Sequence, residues 1–300
     1  VELSYFYDAP DISPQFYLLG PLELKTKPAE CINETDGQIA DCPSSIIHPP
    51  SSAWAEPRSW QIAADETGAT SGARLYTTGF ELQSATGGIE FTTATGSPAI
   101  NTTAGVTIRS GAADLETATT SGVAEGIEYD FAPALANTAD GYYFRAYLRI
   151  ATLPDQTTSI MEAYDSGNTI QTSIQLLSTG TLQLCNIEDD STCASPVLTY
   201  GTALATNTWY RIELKEDSTT LATTKVNAKV DGVAFGADST VNHANGIMTF
   251  RVGIMSTTHT NAPDIYWDDL AVNDDSATDV TSGNYPGEGK VVTLRPTSLT

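Results

Sequence analysis

Between Tyr142 and Ile150 the chain alternates strictly. Tyr142, Phe144, Ala146, Leu148 and Ile150 fall on one side of an extended strand, and Tyr143, Arg145, Tyr147 and Arg149 on the other. A helix would scatter these apolar residues around its circumference, so the run commits this part of the chain to a sheet with a core face and a wetter face. The pattern recurs downstream. Ile174, Leu176, Leu182 and Leu184 predict a hairpin turning at Ser178-Thr179-Gly180, and Tyr210, Ile212 and Leu214 share a face of 209–215. Asp231-Gly232 between two β-rich runs is a tight-hairpin signal. Met248, Phe250, Val252 and Ile254 form one further strand face, and Tyr266, Asp268, Leu270 and Val272 another. No fixed-period repeat appears, which argues against a solenoid or propeller. The 43 threonines favour pleated strands over helical turns, and no window reads as a long amphipathic helix. The runs predict an antiparallel sandwich or barrel over residues 73–300.

Residues 1–72 read differently. Eight of the 15 prolines lie between Pro10 and Pro57, interleaved with Tyr5, Phe6, Tyr7, Phe16, Tyr17, Trp54 and Trp60. Proline removes ladder donors, so this segment is expected to be an extended arm. Its aromatics need a surface to cover them, either the chain's own sheets or a neighbouring subunit, and the neighbour is the favoured reading. A Gly/Ser/Thr cluster at 65–72 marks the boundary.

With 37 acids against 14 bases, the net charge of −23 repels phosphate backbones and anionic lipid, which excludes nucleic acid as a partner. No apolar run is long enough for a membrane span. Val1 in place of Met implies a processed or partial chain. Cys31 and Cys42 form one close pair in sequence, Cys185 and Cys193 another, without metal-finger spacing. Two local disulfides are expected, with free thiols as the alternative, and they point to an extracellular or virion-surface setting. Glu188-Asp189-Asp190 then sits in a turn closed by Cys185 and Cys193. His48, His243 and His259 stand in neither a G-x-S-x-G elbow nor an H-E-x-x-H helix, so triads and zinc hydrolysis lack their parts.

Several stretches carry a resemblance. Leu75-Tyr-Thr-Thr-Gly-Phe-Glu81 is similar to the opening strand of laminin-G and glucanase-type jelly rolls, Trp209-Tyr-Arg-Ile-Glu-Leu-Lys215 to the W-Y-R-I-E strand of the same fold, and Asp264-Ile-Tyr-Trp-Asp-Asp-Leu-Ala-Val-Asn273 to its closing strand. The tail 283–295, with Tyr-Pro-Gly-Glu-Gly-Lys-Val-Val-Thr-Leu, resembles the ending of concanavalin A-like domains in tailed-phage virion proteins. The loop 274–282 departs from that pattern. The resemblance implies an all-β concanavalin A-like jelly roll with the N-terminal arm appended.

It also implies a function. The expectation is a non-enzymatic structural protein of a tailed-phage virion, a tail or head-decorating component, its jelly roll displayed outward and its arm gripping copies of itself and other virion proteins in a homo-oligomer. The paired carboxylates of the glucanases, E-x-D-x-x-E on one strand, are missing. The alternative is a secreted carbohydrate-binding module or filament subunit. For it, Tyr143 and Tyr147 offer aromatic faces to surface glycans, against ordinary cross-strand packing. The resemblance further implies a structural Ca²⁺ between Glu81 and Asp268, with hydrogen-bonded carboxylates as the alternative.

Overall fold

The computed structural model describes residues 74–103, 108–120, 122–130, 141–165, 167–217, 220–274 and 285–291, and the backbone of strands at 15–19, 23–24, 54–55, 60–63 and 292–294. Two antiparallel sheets, of nine and seven strands, face each other. In the nine-stranded sheet, Gly141–Thr152 lies between Trp209–Asp217 and Asp264–Asp274, with Thr224–Val230 beyond the first and Asp114–Ala118 and Arg74–Thr78 beyond the second. The seven-stranded sheet runs through Thr158–Asp165 and Ile247–Ile254 at its centre. The fold is the expected jelly-roll sandwich.

The alternation sorts the side chains as period 2 demands. Tyr142, Phe144, Ala146, Leu148 and Ile150 all enter the core, with Ile212 and Leu214 beside them. Ile174, Leu176, Leu182, Leu184, Phe250, Val252 and Ile254 meet them from the other sheet. Phe144 stacks on Phe250 with ring centroids 4.4 Å apart, joining the two sheets at their centres. The Asp231-Gly232 turn takes positive φ at both residues, 50° and 83°, which matches the twist of the strands it connects. Cys185 and Cys193 are bridged, and Asp190 inside their loop accepts the Thr192 and Ser195 N–H groups, so the acidic turn is a set of local caps.

Two expectations need correction. Tyr266, Asp268, Leu270 and Val272 do not share one face: Ile265 and Trp267 enter the core ahead of Leu270 and Val272, while Tyr266 stacks under Arg149 outside it. A bulge causes the slip. Arg145 pairs with Ala271 but Tyr147 with Asp268, so Asp269 and Leu270 together oppose Ala146, and Asp269 adopts φ 50° to make the step. The second correction concerns Tyr143, Arg145, Tyr147 and Arg149, expected on a wetter face: Arg145 is 0% exposed and both tyrosines 4%. The tail residues 285–291 cover them.

The Cys31–Cys42 pair and the side chains of Tyr5, Phe6, Tyr7, Phe16, Tyr17, Trp54 and Trp60 lie outside the described residues. The backbone of Gln15–Leu19 pairs in parallel with Lys290–Leu294 of the same chain and antiparallel with Trp60–Ala63.

Candidate functional site

The motifs that carried the resemblance converge at one point on the outer face of the nine-stranded sheet. Glu81, from the Gly79-Phe80-Glu81 step, receives the Ala112 N–H at 2.9 Å. Asp268 receives the Ser110 N–H at 3.0 Å and, on its other oxygen, the Asp269 N–H at 2.7 Å. Asp269 accepts from the Arg109 guanidinium, the Ser110 hydroxyl at 2.9 Å and the Val291 N–H. Loop 109–112 is thus held by three carboxylates, Glu81 from the turn after Arg74–Thr78 and Asp268 and Asp269 from Asp264–Asp274. The tail is held by one of the same carboxylates.

Glycines make the approach possible. A Cβ on Gly111 would overlap the Glu81 carboxylate, one on Gly79 would overlap the Val291 side chain, and one on Gly289 would overlap the Arg145 guanidinium. Arg145 donates to the carbonyls of Asp269 at 3.0 Å and Gly287 at 3.1 Å, tying the bulge to the tail. Between the two glycines, Glu288 accepts the Tyr147 hydroxyl at 2.7 Å and pairs with Arg211. Arg109 stacks on the Tyr147 ring, 3.2 Å from its centroid. The Gly-Glu-Gly spacing therefore encodes a clasp over the sheet face. Gly289→Ala is expected to lift the tail from Arg145 and cost about 2 kcal/mol, the usual size of an overpacking defect; urea unfolding checks this, and an unchanged midpoint would remove the clasp from the fold's stability.

Burial raises the Asp268 carboxyl well above its ordinary value, reinforced by the neighbouring Asp269 charge. Asp269 is also raised by burial, against the opposing pull of Arg109 and Arg145. Glu81 and Asp268 do come to one loop, as a shared Ca²⁺ would require. Yet the donors there are backbone N–H groups, which occupy carboxylate oxygens in the way a cation would, and no group of three His, Cys, Asp or Glu side chains placed to hold a metal occurs among the described residues. The residues do not fit an oxygen cage for a metal.

Two residues further along the same strands, the face changes character. Trp209, Arg149, Tyr266 and Glu116 lie directly opposite one another on four adjacent strands. The Arg149 guanidinium sits 5.2 Å from the Tyr266 ring centroid and donates through Nη2 to Asn207 at 2.6 Å. Among the described residues its Nε and Nη1, the Trp209 indole N–H, Asp264 Oδ1 and Asp114 Oδ2 have no hydrogen-bond partner. Burial raises Asp114 from 3.8 to about 6, and Asp264 is raised by burial and by Glu116. Trp209, Glu116 and Asp264 are half-buried and Asn207 exposed, so the row has a solvent rim. The hydrogen bonds of 285–291 reach Tyr147 in the preceding row and, among the described residues, go no further along the face.

Sequence reasoning placed the glycan contacts at Tyr143 and Tyr147, which the structure puts under the tail: Tyr285 meets Tyr143 edge-on at 5.1 Å and Glu288 takes the Tyr147 hydroxyl. It did not single out Trp209, Arg149 or Tyr266 as a set. Their signal was long-range, since only pairing register aligns residues so far apart in sequence.

The sequence matches no known family profile and no curated protein. Solved structures of similar architecture include the marine PL-14 alginate lyase from Aplysia kurodai, 9% identical over 67% of this chain and 99% of that one, with a TM-score of 0.50. An endo-β-1,4-glucuronan lyase from the fungus Trichoderma reesei is 14% identical over 67% of this chain and 95% of that one, TM-score 0.48. A botulinum neurotoxin type C structure, described with two ganglioside molecules, is 9% identical over 67% of this chain and 47% of that one, TM-score 0.48. The expectation that this chain is not an enzyme is corrected here. A polysaccharide lyase shares its architecture, and elimination by a positioned acid and base needs neither the glucanase carboxylate pair nor a triad, so the missing motifs do not bear on it. The chain is a jelly-roll β-sandwich, the build of the Aplysia lyase.

Proposed function

We propose that this jelly roll recognises carbohydrate on a virion or extracellular surface, through the row Trp209–Arg149–Tyr266 and its rim at Asn207, Asp264 and Glu116. The observation that carries the reading is the coincidence of two aromatic rings with unpaired buried donors and acceptors on one sheet face. Buried polar atoms are nearly always satisfied, and a cluster of exceptions beside an aromatic platform is what a hydroxyl-bearing ligand completes. The sandwich architectures shared with a polysaccharide lyase and the disulfide-bridged acidic turn are in keeping with this role.

Trp209→Ala removes the half-buried ring at the rim and is expected to weaken glycan binding by about tenfold, the usual worth of one aromatic contact. A glycan array followed by calorimetry on the best ligand reads this out, and ultraviolet detection of unsaturated sugar ends in the same samples reads any eliminating activity. Binding that persists undiminished in Trp209→Ala would rule out this face. The phage placement rests on the tail's resemblance, and those tail residues are the ones the clasp requires. Pairing of Gln15–Leu19 with Lys290–Leu294 of its own chain supports a self-contained module over an arm lent to neighbours.

A further inference from the structure

We infer that the Trp209–Arg149–Tyr266 row is selective for uncharged glycans and rejects uronates and other anionic sugars. This rests on the reading of that row as a glycan site. The inference follows from the buried polar atoms there that have no hydrogen-bond partner among the described residues, which are of both kinds. Arg149 Nε and Nη1 and the Trp209 indole N–H can only donate, whereas Asp264 Oδ1 and Asp114 Oδ2 accept. A hydroxyl both donates and accepts, so a vicinal diol can satisfy one atom of each kind at once. A sugar carboxylate only accepts: it would match the donors and leave the two aspartate oxygens facing a like charge.

The charge inventory points the same way. Around the single guanidinium of Arg149 stand three carboxyl groups, of Asp114, Glu116 and Asp264, and Arg149 is electrostatically coupled to both aspartates. Tyr266 donates toward Glu116 at 3.2 Å and Asp264 at 3.4 Å, which fixes both acids at the edge of the row. The other arginines of this face are engaged elsewhere: Arg109 with Asp269, Arg145 with the Asp269 and Gly287 carbonyls, Arg211 with Glu213 and Glu288. Against a chain charge of −23, no surplus cation among the described residues is left at the row to draw in a polyanion.

The test compares neutral gluco-, manno- and galacto-oligosaccharides with oligouronates of equal length by calorimetry at pH 7, on the full chain and on Asp264→Asn. The neutral set is expected to contain a ligand that Trp209→Ala weakens, with the oligouronates bound at least about tenfold more weakly, since like charges brought together at an interface repel. Asp264→Asn is expected to narrow that gap by raising uronate affinity. Oligouronates that bind as well as the neutral set, or better, through Trp209 would overturn the selectivity and leave the glycan site standing. Absence of any binding that depends on Trp209 would overturn both.

Discussion

Asp269→Ala is expected to destabilise the protein by about 4 kcal/mol, the cost typical of removing one partner from a buried charge pair. The side chain is 0% exposed and serves two segments at once: Arg109 and Ser110 from one loop and the Val291 N–H from the tail. Alanine leaves the Arg109 guanidinium without its buried counter-ion and the Val291 N–H without an acceptor. It must also hold φ near 50°, a conformation that suits Asp and Asn far better than Ala. Asp269→Asn separates these contributions. It tolerates the backbone and keeps an acceptor for one donor, so its loss should be roughly half that of alanine. Urea unfolding of the two variants decides the matter, and equal losses would mean that backbone conformation contributes nothing and charge everything.

The sandwich was legible because burial in a sheet writes period 2 into the sequence, and at Tyr142 to Ile150 nothing interrupts it. The closing strand was harder to read. Ile265 and Trp267 keep one phase and Leu270 and Val272 the opposite one, so the bulge at Asp269 is recorded in the sequence as a change of phase. Grouping Tyr266 with Leu270 read through that break. The clasp was legible as motifs but not as geometry: Gly79, Gly111 and Gly289 announce close approach, yet only the fold reveals that Val291, Glu81 and Arg145 are what approaches. Tyr143 and Tyr147 were expected to be open because alternation assigns a residue to a face without saying what covers the face. Trp209, Arg149 and Tyr266 lie on three strands that are far apart in sequence, and their alignment is a property of register alone.

Inside the sandwich, Glu216→Gln is expected to change how stability depends on pH. Glu216 is 1% exposed, His243 is 3% exposed, and their Oε2 and Nδ1 atoms stand 3.6 Å apart. Thr172 reaches the other imidazole nitrogen at 3.4 Å. Burial raises Glu216 from 4.5 to about 8 and lowers His243 from 6.5 to about 4, the latter against the pull of Asp189 and Asp165, so near neutrality the folded pair is an uncharged acid beside an uncharged imidazole. The two groups act at opposite ends of the pH scale. An acid whose folded value is raised binds more protons in the folded state, so its contribution is complete below pH 4.5 and is lost as pH rises through about 8. His243, with its folded value lowered, contributes above pH 6.5 and loses that contribution as pH falls through about 4. Removing the carboxyl removes only the alkaline loss. Between pH 5 and pH 8 the wild-type protein should therefore lose roughly 4 kcal/mol relative to Glu216→Gln, at about 1.4 kcal/mol per pH unit for one proton. Glu90, raised to about 7, and Asp114, raised to about 6, make both proteins less stable over the same range, and the difference between the two curves isolates Glu216. Parallel curves from urea melts at pH 5 and pH 8 would show that Glu216 is already ionised in the folded protein.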